Sequence, residues 1–410
     1  MADFQQTGSI TTLHCLRPEA WLKLDQEMPR LVRKRPVGLV LPALYSEFEN
    51  PAIYNIIKEL EKVDWISRTV LVLSQADRDQ YEEVCGLFSR FKGGITVLWR
   101  ESEPVQEFLR TVNDAGLAAK IPGKGRACWL GMGYLLAKGD CEVIAFQDCD
   151  IKTYHRRMLT QLVYPLLSTR SRFEFSKAYY PRFTRQLNGR LTRLMLTPLI
   201  QAMTEAGTLS NFLCYLEVFR YGLAGEIAMD AGLARTMEVA PDWGLEISTL
   251  AEVHGRVPAS RVCQVDLCDC YDHKHQPVSP DDPDAGLHRM AREVALAVFR
   301  GVSKHGGVLP SELLQTTLPL SYRRLAVEMT ARYSADAEMN GLDYDLHGEL
   351  GEVEVFARAL EEAAQELAEH PSGTPSLPSW DRVEDALPDA YEQLAAAAEL
   401  EHAWLEKATA

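Results

Sequence analysis

No apolar run in the chain approaches the ~20 residues that a membrane span needs. A basic excess is missing as well: 43 Lys and Arg stand against 58 Asp and Glu, a formal net charge of -15. That balance argues against non-specific nucleic-acid binding and against an anionic membrane surface, while leaving room for a local basic pocket. The N-terminus (MADFQQTGSITTLHCLRPEAW) has no basic start followed by an apolar core, so no signal peptide is expected. The nine cysteines are odd in number and scattered, which argues for reduced thiols and against a disulfide framework. Cys263, Cys268 and Cys270 stand near His273 and His275, but without paired Cys-X-X-Cys spacings they do not read as a zinc site. Internal repeats and long low-complexity tracts are also lacking. A cytoplasmic, soluble protein is the expectation.

What is present is an ordinary globular composition, 46% apolar and 25% charged over 410 residues, with ample length to bury a core. Residues 1–35 read as an N-terminal extension, helical toward Val32. Apolar runs of strand length then recur at 37–41, 69–73 and 95–99, with helical periodicity between the first two (Ile53, Ile56, Ile57, Leu60) and again near 78–91. Strands alternating with helices predict a parallel sheet of the nucleotide-binding α/β class. The alternating stretch 173–180 and the run 261–267 predict later strands, and Arg182 to Arg193 a basic loop. From 284 onward the sequence reads as helix, interrupted by a Pro/Ser-rich surface loop at 370–378. The divisions expected are 1–35, a nucleotide-sugar half 36–155, an acceptor half 156–283 and a helical region 284–410.

The organising stretch runs from Ile121 to Tyr154. A Gly123-Lys124-Gly125 turn precedes a helix predicted over 126–137, and the short apolar run Val143-Ile144-Ala145-Phe146 leads into Gln147-Asp148-Cys149-Asp150. Carboxylates at the carboxyl end of a buried strand lie where α/β sheets place their ligand crevice. Asp148 and Asp150 there make a hard, oxygen-rich site for Mg2+ or Mn2+; a solvated acidic turn is the plainer alternative. The glycines beside Lys124 would let backbone amides approach a ligand, and its ammonium would offset phosphate charge.

Seven blocks in order carry a resemblance to a known family. They are Leu41-Pro42-Ala43-Leu44 with Glu47, Gly123-Lys124-Gly125, Asp148-Cys149-Asp150, Gly189-Arg190-Leu191-Thr192, Gly225-Glu226, Trp243 to Ile247, and Gln264 to Leu267 followed by His273. Together, over roughly 36–300, they resemble the retaining GT-A glycosyltransferases that make glucosyl-3-phosphoglycerate or mannosyl-3-phosphoglycerate. The resemblance implies an α/β GT-A fold, a Rossmann-like nucleotide-binding sheet joined to an acceptor half, often assembled as a homodimer. A helical C-terminal extension longer than the family's would be added here. Two blocks depart from the pattern: Leu44 is followed by Tyr45-Ser46-Glu47, and the second strand ends in Ser74-Gln75-Ala76-Asp77 in place of an acidic stretch.

Roles follow from the resemblance. Pro42, Ala43, Leu44, Glu47 and Ser74 would border the nucleoside, with Asp148 and Cys149 by the diphosphate. Asp150, His273 and Asp148 would hold the metal, and Asp150, Lys124 and Glu246 would carry the chemistry. Trp243 would face the sugar ring and Glu246 its hydroxyls. Gly189, Arg190 and Thr192 would take the phosphate of 3-phosphoglycerate, since Arg reads phosphate bidentately. The implied reaction moves glucose from UDP-glucose to the 2-hydroxyl of 3-phospho-D-glycerate, with the departing phosphate oxygen as base. Glu246 stays open as a nucleophile for double displacement. GDP-mannose as donor, free glycerate as acceptor, and a nucleotidyltransferase also remain open.

Overall fold

A computed structural model describes residues 5–6, 8–88, 94–273, 277–371, 373 and 375–409. One eight-stranded sheet runs through both expected halves, in the order β1-β8-β6-β7-β5-β2-β3-β4. Its strands are β1 (Thr11–Leu13), β2 (Val37–Leu44), β3 (Arg68–Ser74) and β4 (Ile95–Trp99), then β5 (Val143–Phe146), β6 (Phe175–Tyr179), β7 (Ile227–Asp230) and β8 (Val262–Asp266). All neighbours are parallel except β7, which runs antiparallel to both β5 and β6. The sheet is therefore mixed where an all-parallel one was expected. β1 and β7 were not foreseen, nor was the Glu103–Asp114 helix; β1 joins the extension to the sheet through β8, about 250 residues away.

Alternation along each strand builds two cores. Leu39 and Leu41 of β2 and Leu71 and Leu73 of β3 face one side, while Val40, Val70 and Val72 face the other. Helices Trp21–Val32, Pro51–Leu60 and Arg157–Leu167 cover the first face. Asn50 starts the second of these by accepting from the amide of Ala52, with Pro51 as first helical residue. The other face is covered by Glu103–Asp114, Lys124–Lys138, Leu245–Arg256 and Gly286–Lys304.

The C-terminal region is helical as expected, in Leu318–Asn340, Leu346–Glu369, Trp380–Ala386 and Ala390–Thr409. It returns to the β2–β4 side of the sheet, against the Glu103–Asp114 and Lys124–Lys138 helices. Trp380 and Trp129 are both fully buried and stack with centroids 4.4 Å apart. Their indole N–H groups donate to the carbonyls of Trp129 and Pro378, at 3.1 and 2.8 Å. The expected surface loop before Trp380 is thus buried at its end, where Leu377 also bridges to Val239. Among the described residues, no helix is long and apolar enough to cross a membrane.

Candidate active site

The chain runs from β2 outward to β3 and β4, then returns to β5 on the other side of β2. Such a reversal opens a crevice at the carboxyl ends of the strands. The β2–β5 ladder ends at Val40 opposite Phe146, with Gln147 N–H donating to the Val40 carbonyl. Pro42 stands two residues further on, past the end of β5, where its missing N–H removes no ladder bond. The resulting cleft holds about 510 Å³.

Lys124 is the first residue of its helix. Its Nζ lies 2.8 and 3.0 Å from the two oxygens of Asp148 and 3.2 Å from Glu246 Oε1. Glu246 sits in the first turn of the Leu245–Arg256 helix. Burial alone would lower the Lys124 pKa, but these two carboxylates hold it well above its ordinary value. The glycines beside Lys124 have a packing role. A Cβ on Gly123 or Gly125 would fall 2.1 or 1.9 Å from the carbonyl oxygens of Pro241 and Ala240. They let the helix start abut the segment that delivers Trp243 and Glu246, and Gly125 N–H donates to the Pro241 carbonyl.

Asp150 Oδ2 stands 3.3 Å from His273 Nδ1, while its buried Oδ1 has no partner. Burial pushes the Asp150 pKa up, yet His273 and then Lys124 hold it below the usual carboxylate range. Glu47 leaves a second unpaired buried oxygen, Oε2. Its carboxyl is pushed up to about 8 by burial, then by Asp150 and Asp148. Crowded carboxylates with orphaned oxygens are the donor set a hard cation satisfies. The expected trio is nonetheless divided, because Asp148 is ion-paired to Lys124 and only Asp150 and His273 meet. Among the described residues no three His, Cys, Asp or Glu side chains form a ready metal cage. His275 lies outside the described residues.

The remaining expected residues border the same cleft. Pro42, Ala43 and Leu44 form one wall with Ser74, whose buried hydroxyl is unpaired. Cys149 is buried beside it, and Trp243 also lines it, its backbone N–H donating to Glu293. Gly189 (φ +71°) lets the chain take a left-handed turn before Arg190 and Thr192. Thr192 is buried with an unpaired Oγ1, and Arg190 is ion-paired to Glu352 of the C-terminal region. Arg193, from the same basic loop, is held by Glu349.

Three supporting residues were given no role by the sequence reading, although Gly225 and Glu226 form one of its blocks. A Cβ on Gly225 would fall 2.7 Å from Asp148 Oδ2 and 2.8 Å from Lys124 Nζ. Fully buried Glu226 accepts from Tyr180 and Tyr271 hydroxyls at 2.7 and 2.6 Å, pinning the loop that carries His273. Buried Lys177 donates to the Ala224 carbonyl at 2.7 Å, and its pKa is lowered to about 8 by burial. Lys177 shares the parity of Phe175 and Tyr179, in a strand that is buried on both faces.

No protein-family model matches the chain. Full-length relatives do. A glucosyl-3-phosphoglycerate synthase of Persephonella marina is 40% identical over 399 residues, spanning 97% of this chain and 98% of that one. Another, of Methanococcoides burtonii, is 33% identical over 398 residues, 96% of each chain. Among solved structures, Mycobacterium tuberculosis glucosyl-3-phosphoglycerate synthase in complex with Mn2+, UDP-glucose and phosphoglyceric acid is similar, with a TM-score of 0.55 at 23% identity. That match covers 72% of this chain and 89% of the other. Its complex with Mg2+ and UDP gives a TM-score of 0.53 at 23% identity, covering 72% and 87%. The shared architecture is the GT-A fold.

Proposed function

The chain belongs to the glucosyl-3-phosphoglycerate synthases, a family of glycosyltransferases, and we propose that it moves glucose from UDP-glucose to the 2-hydroxyl of 3-phospho-D-glycerate with retention of configuration. One observation carries the reading. Lys124, Asp148, Asp150, Glu246 and His273 share a single cleft with Gly189, Arg190 and Thr192. A site for diphosphate and sugar thus adjoins a site for a phosphorylated acceptor. The M. tuberculosis complexes with UDP-glucose and phosphoglyceric acid support this pairing of substrates.

Asp150 and His273 would hold Mg2+ or Mn2+, a role their contact and the orphaned Asp150 Oδ1 fit. When bound, the ion supplies Lewis-acid neutralisation of charge on the leaving diphosphate. Lys124 adds an ammonium already ordered by Asp148 and Glu246, so little reorganisation accompanies departure. Glu246 accepts hydroxyls of the donor sugar, and Trp243 offers its ring an apolar face. Arg190, the Thr192 hydroxyl and the turn at Gly189 take the acceptor phosphate. The acceptor 2-hydroxyl attacks the face that UDP leaves, passing its proton to the departing phosphate oxygen. Glu246 is engaged by Lys124, which favours an electrostatic and binding role over a nucleophilic one.

Purified protein with Mn2+ or Mg2+ should be offered UDP-glucose, GDP-glucose and GDP-mannose against 3-phosphoglycerate and glycerate, with products read by mass spectrometry. A hexosyl-phosphoglycerate from UDP-glucose is expected. No transfer from any donor would overturn the reading.

A further inference from the structure

We propose that Glu352, from the C-terminal Leu346–Glu369 helix, is a positioning residue that orders Arg190 for the acceptor phosphate. The inference rests on the reading of Gly189, Arg190 and Thr192 as the acceptor loop.

Arg190 and Arg193 meet Glu352 and Glu349, two glutamates one turn apart on one helix face. The two pairs differ in their glutamates: both Glu349 oxygens are bonded, and one Glu352 oxygen is not. Arg193 is buried and held through both nitrogens, at 2.6 and 3.2 Å from the Glu349 oxygens. It also donates to the Asn188 and Leu187 carbonyls and lies over the Tyr333 ring at 4.5 Å. Tyr344 donates to Glu349 Oε2 at 2.5 Å. That network is satisfied and anchors the loop.

Arg190 is different, because it borders the cleft. Its Nη1 donates to Glu352 Oε1, while Glu352 Oε2 is buried without a partner. An unpaired buried carboxylate oxygen is costly and calls for a functional reason. Reading a phosphate with a guanidinium needs the planar fork held at a fixed angle. A long side chain that must be ordered on binding loses affinity, whereas one ordered beforehand does not. Glu352 supplies that ordering from a helix outside the sheet. The C-terminal region thereby takes part in acceptor selection.

The test is steady-state transfer from UDP-glucose by wild type, Glu352→Ala and Glu352→Gln, with 3-phosphoglycerate and D-glycerate as acceptors and melting temperatures alongside. Glu352→Ala should raise the KM for 3-phosphoglycerate about tenfold, equivalent to about 1.4 kcal/mol, with the UDP-glucose KM within about twofold. The preference for phosphorylated over free glycerate should narrow in step, and Glu352→Gln, which keeps an acceptor oxygen, should recover part of the loss. An unchanged or lowered KM for 3-phosphoglycerate would overturn the inference, the latter showing that Glu352 competes with the phosphate. An equal rise for both substrates with a lower melting temperature would assign a merely structural role. Wild type that glucosylates glycerate but not 3-phosphoglycerate would instead remove the acceptor reading itself.

Discussion

Lys124 and Asp148 form an ion pair across the cleft, Nζ to Oδ1 2.8 Å, joining the start of a helix to the end of β5. Glu246 completes the triad from a second helix start, so one ammonium holds three elements in register. Lys124→Met should lower kcat by ~10²–10³-fold, the scale of losing one preorganised donor to developing negative charge. Rates at saturating donor check this. A fall confined to KM would place Lys124 in ground-state binding only.

Metal removal should be complete and reversible. Transfer is expected to stop with EDTA and return with Mn2+ or Mg2+, while Asp150→Ala should lose both activity and metal-dependent UDP binding by calorimetry. Strong UDP binding by Asp150→Ala in the presence of metal would remove Asp150 from the ligand set.

Gly225→Ala separates activity from folding. The added methyl would reach 2.7–2.8 Å from Asp148 and Lys124, the ends of two side chains, so the ion pair and not the backbone must give way. Melting should change little while transfer falls more than ~10-fold, as a misplacement near 1 Å can cost ~10²-fold.

Lys177 gives a pH signature. Its folded pKa of about 8 lies below the ordinary lysine value of 10.5 because burial disfavours the ammonium. The unfolded chain therefore holds this proton between those values while the folded one has released it. Rising pH through that window favours the fold; below it, the folded state bears a buried charge. Wild type should gain stability over Lys177→Met as pH rises from 8, by at most about 1.4 kcal/mol per unit. Urea melts at pH 7.5 and 9.5 measure the difference, and a constant gap would refute it.

Trp380→Ala should destabilise by ~3–5 kcal/mol, the usual cost of truncating a buried aromatic. Its ring fills the space over Gly133, where an added Cβ would fall 1.9 Å from Trp380 Cζ2. Denaturant unfolding checks the magnitude.

Much of the site was legible because its residues cluster at strand ends with local markers. Asp148 and Asp150 close an apolar run, and Lys124 opens a helix between glycines. Every residue expected in the site borders one cleft. What stayed hidden depends on distant pairing. β1 is three residues long and gains its partner in β8, so no local periodicity marks it. The antiparallel β7 is four residues long. Sequence shows the Asp148 carboxylate but not the Lys124 ammonium paired with it. Arg190 and Glu352 are 162 residues apart, and no spacing rule joins them.

The stack of Trp380 on Trp129 bears on synthesis. The strands β2 to β5 leave the ribosome early, yet the helix carrying Lys124 is packed in part by Trp380, made 251 residues after Trp129, and by the Ala390–Thr409 helix. Until then Trp129 lacks its stack with Trp380, and exposed apolar surface of that kind is what chaperones hold and what aggregates. A chain cut short before Trp380 would lack part of the packing around the helix that opens with Lys124, so the shape of the cleft waits on helices far along the sequence.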